Sequence, residues 1–306
     1  MLAYIVRRIL LLIPALLAIT LVAFLILQLI PGDPARVIVG IDADEKQLEA
    51  IRHQLGLDKP IIVQYGIFLK SIVRFNFGQS IRSQDDVINQ ILPRFKNTLL
   101  LALVSITISV IVGVLAGVIA STKQNTSLDY AITSLVLLGI SAPTFWIGLL
   151  LILFFSVFAG LFPAGGIEGL KSIILPAITL AAPSAAVTAR MTRSSMLEVL
   201  RMDYIKTARA KGQKESRIVF KHALKNALLP TITIVGIQFG YLMGGSVLVE
   251  TVFSWPGLGW LIVDAIFAKD YPVVQACVIF FAFSFILVNL VVDILYGYIN
   301  PRVTYD

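Results

Sequence analysis

TLLLALVSITISVIVGVLAGVIA, Thr98–Ala120, runs for 23 residues without one charged side chain. About 20 apolar residues in a helix cross the hydrocarbon layer of a bilayer, because an α-helix satisfies every backbone N–H and C=O within the segment. The rest of the 306-residue chain agrees: 58% of its residues are hydrophobic, 14% are charged, and the mean hydropathy is +0.89. A soluble domain of this length needs far less apolar material for its core. The chain reads as an all-α polytopic membrane protein.

Five further stretches qualify as spans: Ile9 to Ile30, Tyr130 to Phe158, Ile173 to Ala189, Leu228 to Val249 and Val273 to Ile294. Pro176 and Pro183 interrupt the fourth, which bundled membrane helices tolerate. Arg7 and Arg8 precede the first, as in a signal peptide, but its apolar run is too long and PGDP at 31–34 offers no small-residue cleavage site. It reads as a retained anchor. The expected organisation is an N-terminal end and first span at 1–30, an extracytoplasmic helical loop at 31–97, and a five-helix core at 98–306 with a cytoplasmic loop at about 190–228.

Orientation follows the lysines and arginines, which the cytoplasmic side retains. With the N-terminus inside, the cytoplasmic segments carry 14 basic residues against five acidic ones, and the external segments carry 11 of each. Both termini are expected in the cytoplasm. The net charge of +7 therefore describes topology and calls for no nucleic acid. Cys277 is alone, and His53 and His222 fall on opposite sides of the membrane, so neither an intrachain disulfide nor a histidine metal site can form. No phosphate-binding glycine loop or nucleophile elbow is present. The expectation is a chain that is not an enzyme and binds no metal or cofactor of its own.

Within 31–97, DEKQLEAIRHQLG at 44–56 pairs an Asp44-x-x-Gln47 cap with Leu48, Ile51 and Leu55 on one face and Gly56 as a stop. QYGIFLKSIVRF at 64–75 repeats the pattern through Tyr65, Phe68, Leu69, Ile72 and Val73. His53 is a polar residue on the first of these helices. These short amphipathic helices suit a cap packed on the outer ends of the spans, and such a cap can also receive a soluble partner.

DYIKTARAKGQKESRIVFKHALKNALLP, Asp203–Pro230, is densely basic in an oily chain. Asp203 suits an N-cap, Tyr204 to Lys211 make two helical turns, and Gly212 follows where a left-handed residue is needed. Arg209 and Lys211 complement the negative end of that helix. A second helix starts near Glu215 and Ser216 and runs through Ile218, Phe220, His222 and Leu224 toward the fifth span. The hairpin could lie on anionic lipid through its lysines. Its small face, Thr207, Ala208, Ala210 and Gly212, favours close approach of another protein.

Ala208 and Gly212, followed by HALKNALLP at 222–230, resemble the EAA loop of ABC importer permeases, the element that fits a cleft on the cytoplasmic ATPase. IPGDPA at 30–35, LGLDKP at 55–60, NFGQS at 76–80, ISAPTFWIG at 140–148, VETVFSWPGLGWL at 249–261 and DILYGYINPR at 293–302 are similar to the peptide/nickel class of these permeases. The general loop's glutamate falls on Lys206, its first alanine on Thr207 and its late proline on Lys225, with a proline further on at Pro230, as in that class. The resemblance implies a bacterial inner-membrane permease paired with a second, related permease. It also implies two ATPases that carry ATP and Mg²⁺, and an extracytoplasmic binding protein that delivers peptides, nickel or other metal chelates, or glutathione-like solutes. Coupling to the ATPase would fall on Asp203, Tyr204, Lys206, Thr207, Ala208, Arg209, Ala210, Lys211 and Gly212.

Gly236, Gly240 and Gly244 recur every fourth residue in the fifth span with Gly245 beside them, and Gly113 and Gly117 do so in the second. Small residues at this spacing let helices pack closely, and the alternative is that they line a pore. Gln238, Asn289 and Asp293 are polar in or beside spans and should face protein or water. SWPGLG at 254–259, with Trp255, Pro256 and Gly257, reads as an outer turn or re-entrant element, with Glu250 at the boundary. A secondary transporter using Glu250 or Asp293 as its proton or sodium site is the alternative mechanism, and a non-transporting scaffold is the third.

Overall fold

The computed structural model describes residues 2–29, 44, 45, 49, 52 and 58–299; for 2–9, 26–29, 293 and 295–299 it describes the backbone course alone. Of the first expected helix in the external loop, Gln47, Leu48, Ile51, His53, Leu55 and Gly56 lie outside the described residues. Everything regular that is described is helical, with one isolated bridge between Gln79 and Asp86.

In chain order the helices are α1 (Leu2–Leu29), α2 (Ile61–Val73), α3 (Val87–Thr122), α4 (Ser127–Ser141) and α5 (Thr144–Leu151, running on as π-helical turns Ile152–Phe158). A 3-10 turn, Leu170–Ile173, leads into α6 (Ile174–Leu200), which is followed by α7 (Asp203–Ala210). The helix α8 is continuous over Glu215–Val252, with π-helical turns at Ile218–Ala223. The last two are α9 (Leu258–Phe267) and α10 (Tyr271–Ile299).

Among the described residues four helices are long and apolar enough to cross a membrane: Val87–Thr122, Leu170–Leu200, Glu215–Val252 and Tyr271–Val292. The third expected span, Tyr130 to Phe158, is not one straight helix: α4 and α5 meet at a bend of 109°. Pro143 explains the break, since proline disfavours helical backbone in the residue before it and donates no hydrogen bond. Ala142 is accordingly extended, with ψ 134°. Pro183, by contrast, is accommodated inside α6.

The exposed surface is apolar where a soluble protein's would be charged: Leu103, Ile111, Val112 and Leu115 of α3 and Leu135, Leu137 and Leu138 of α4 all face outward. Several hydroxyls in the spans turn back on their own helices, as Ser105 does to the Leu101 carbonyl (2.7 Å), Thr179 to Leu175 (2.8 Å) and Thr188 to Ser184 (2.8 Å). That satisfies them where water is absent. Gly113 and Gly117 let α3 and α6 touch: a Cβ at Gly113 would lie 2.7 Å from Thr188 Cβ, and one at Gly117 would lie 2.6 Å from Thr192 Cβ.

At one end of the bundle Val87 and Ile91 of α3 bury against Leu258, Leu261 and Ala265 of α9 and Val273 and Ala276 of α10. At the other, Val118 of α3 and Met196 and Val199 of α6 pack with Ile205 of α7 and Ile218, Val219 and Ala227 of α8. The helix α2 leans on α1, with the Phe24 ring 5.5 Å from Tyr65 and 5.7 Å from Phe68, and Tyr65 hydroxyl 2.9 Å from that of Thr20. Tyr65, Phe68, Leu69 and Ile72 form the expected half-buried face, but Val73, at the frayed end of the helix, is 78% exposed.

Candidate coupling hairpin

Two turns of helix, α7, project at the end of the bundle where α6 stops. The N-cap is Met202, in extended conformation, and Asp203 is already helical. The Asp203 carboxylate accepts from Lys206 Nζ at 2.8 Å one turn on, so it does not turn back to the helix N–H groups as the sequence suggested. Only Ile205 is buried, plugging the cluster of Met196, Val199, Ile218 and Val219.

The helix ends in a Schellman turn: Gly212 N–H donates to Arg209 O (2.9 Å), Gln213 N–H donates to Ala208 O (3.3 Å), and Gly212 adopts φ +72°. This is the left-handed residue that the sequence called for. No atom lies within 4 Å of a Cβ placed there, so a side chain at Gly212 would meet backbone strain alone.

Polar clasps then bind the hairpin to α8. Arg209 grips Glu215 with two bonds, Nε at 2.6 Å and Nη2 at 3.3 Å, and the carboxylate raises the guanidinium's pKa further. His222 Nε2 pairs with Gln213 Oε1 at 2.8 Å, and Asn226 Nδ2 donates to the Tyr204 hydroxyl at 2.8 Å. Sequence reasoning assigned Arg209 to the helix dipole and missed all three clasps. The signal was an Arg and a Glu flanking a glycine turn, six residues apart. Of the nine residues singled out for coupling, eight are exposed: Asp203, Tyr204, Lys206, Thr207, Arg209, Ala210, Lys211 and Gly212. Ala208 is half-buried against the cluster and does not belong to the open small face.

The other end of α8 is closed differently. Glu250, fully buried, accepts from Thr98 Oγ1 (2.7 Å) and from the N–H groups of Gly259 (2.7 Å) and Trp260 (3.1 Å), while Leu258 N–H donates to Thr98 Oγ1 (2.8 Å). A carboxylate thus satisfies the otherwise unpaired first turn of α9 and meets its positive dipole end. Trp255 Nε1 donates to Asn97 O at 3.2 Å, and Asn97 Nδ2 to Pro256 O at 2.9 Å. Glu250 is therefore engaged as a structural cap and not free at the boundary to hold an ion. Along α8, Gly236 packs against Val292 and Gly240 against Phe285 of α10, whereas Gly244 and Gly245 are open. Gln238 and Asn289 are half-buried, Asn289 donating to Phe285 O at 2.9 Å. The side chain of Asp293 lies outside the described residues.

Apolar spans bound together by close glycine contacts, with an exposed hairpin linked by a short turn to one of them, define a helical polytopic membrane protein. Residues 109–305 match the binding-protein-dependent transport system inner membrane component family, and residues 1–102 match the N-terminal segment of these membrane components. The chain belongs to that family. It is the permease component of a binding-protein-dependent ABC importer, a non-catalytic inner-membrane protein. It is 46% identical over 305 residues, covering 100% of each chain to the nearest per cent, to the glutathione transport system permease protein GsiC of Escherichia coli strain K12 and equally to that of Salmonella typhi. Among solved structures it resembles a chain of the MetNI methionine ABC transporter in inward-facing conformations, with TM-score 0.59 at 21% identity over 69% of this chain and 96% of that one. An amino acid ABC transporter aligns with TM-score 0.52 at 16% identity over 70% and 94%.

Proposed function

We propose that this permease crosses the inner membrane six times with both termini in the cytoplasm, and that the hairpin from Asp203 to Gly212 docks on an ATPase subunit to drive import of a short peptide-like solute. The carrying observation is a tight linkage: the hairpin is plugged by Ile205, clasped by Arg209–Glu215, and joined through the short turn at 211–214 to a 38-residue helix. A push on α7 must move α8. ATP and Mg²⁺ belong to two separate ATPases and no cofactor to this chain. A second, related permease completes the pathway, and a soluble binding protein delivers cargo to the opposite face, where the helix Ile61–Val73 lies against α1. Glutathione, the cargo named for the relatives, is a tripeptide, so glutathione-like compounds and other short peptides are the cargo class. Lys206, Thr207, Ala210 and Lys211 make the docking face. Gly244 and Gly245 are left to the second permease or the pathway, while Gly236 and Gly240 serve packing within this chain.

Cysteine labelling tests the orientation against the quiet background of the buried Cys277. Cysteines replacing Lys206 or Lys214 should react only from the cytoplasmic side and those replacing Lys46 or Gln84 only from outside. Labelling of both sets from one side would refute the six-span arrangement, and purification without ATPase subunits would refute the docking role.

A further inference from the structure

A cavity of about 490 Å³ opens between α3, α4 and α6 at the hairpin end of the bundle. Its wall combines apolar side chains, Ile132, Val136 and Leu137 of α4 and Leu197 of α6, with basic ones, Arg190 and Arg193 of α6 and Arg201 just past its end. Asp129 is buried behind that wall and takes Arg193 Nε and Nη2 at 2.8 Å each. Asn125 N–H (3.1 Å) and Thr133 Oγ1 (3.4 Å) hold Asp129 in turn. This bidentate grip fixes the guanidinium plane and leaves Nη1 to donate elsewhere. The side chains of Arg190 and Arg201 form no ion pair or hydrogen bond with the described residues, and Ser194 presents a free hydroxyl between them. Three arginines against Glu198 in the wall and Asp129 behind it leave one net positive charge.

We infer that this cavity binds the headgroup of one singly charged anionic phospholipid, its phosphodiester on Arg190, Arg193, Ser194 and Arg201 and its acyl chains along the exposed Leu135, Leu137 and Leu138 of α4. The inference rests on the orientation proposed above, which puts Arg190, at the end of the apolar run of α6, level with the cytoplasmic headgroups. Basic pockets between spans on that side match the negative leaflet. A free phosphate would use the same donors but would leave the apolar wall without a partner. A lipid meets the arginines and the apolar side chains at once.

Native mass spectrometry of the full-length permease in its transporter complex, exchanged separately with phosphatidylglycerol, phosphatidylcholine and inorganic phosphate, tests this without reference to sidedness. Orientation fails or stands by cysteine labelling alone. One phosphatidylglycerol should be retained where phosphatidylcholine is not. Arg190→Gln with Arg201→Gln should weaken retention roughly 25-fold, at about fivefold for each arginine near an anionic headgroup. Glu198→Gln should tighten it, which a folding defect would not do. Equal retention of both lipids, retention unchanged in the double variant, or displacement of phosphatidylglycerol by millimolar phosphate would overturn the assignment. So would a cavity found covered by the second permease.

Discussion

The two ends of α8 are held by opposite means. Near Glu250 the contacts are buried, charged and without slack: Gly259 has Val247 Cα 2.5 Å and Glu250 Oε2 2.9 Å from where a Cβ would stand. At Gly212 there is open space, and the polar clasps around it lie on the surface, with the Arg209 side chain 45% and that of Glu215 62% exposed. Buried charge-assisted bonds that are broken on one side cost several kcal/mol, while exposed pairs are worth about 1 kcal/mol or less. One end of the helix is an anchor and the other a handle. The proposed coupling role would use that asymmetry, with the anchor keeping its geometry while the handle is gripped and released.

Breaking the anchor should have the largest effect. Gly259→Val drives a branched side chain into backbone and into Glu250, with an expected cost above about 4 kcal/mol. The variant should fail to yield a monodisperse peak in size-exclusion chromatography after detergent extraction. Normal yield and thermal stability would erase the contrast between the two ends. Ile205→Ala comes next. It empties the plug beneath the handle, at about 2–4 kcal/mol. The spans should insert normally, while limited proteolysis should cut the hairpin sooner than in the unaltered protein. Equal protection would mean that the polar clasps, not the plug, hold α7. The smallest effect belongs to Arg209→Ala, which removes an exposed pair worth below about 1 kcal/mol. Thermal stability should shift little, and transport should fall by only a few-fold as α7 loosens on α8.

The helical character of the chain and the positions of its apolar runs were legible in the sequence, because span formation depends on apolar length, which local composition records. Gly212 was legible for a similar reason: a glycine two turns after a helix start announces a left-handed stop. The Arg209–Glu215 clasp was not, since which side chains meet across a turn depends on how α7 rests on Ile205. The role of Glu250 was hidden more deeply. Its partners come from Thr98 in another span and from a helix that begins eight residues later, and hydropathy reports neither. The glycines show the same limit: one spacing in the sequence serves contact with α10 at Gly236 and Gly240 and open surface at Gly244.

Gly212→Val tests most directly whether the handle is where ATP hydrolysis meets the membrane. Valine at φ +72° adds strain of about 1 kcal/mol or more, while nothing lies within 4 Å for its side chain to strike. The change therefore tilts α7 and leaves the fold intact. In proteoliposomes holding the complete transporter, permease content should be normal while solute-stimulated ATP hydrolysis and uptake both fall at least tenfold. Full uptake and full stimulation in that variant would contradict the coupling role and return the hairpin to the membrane surface.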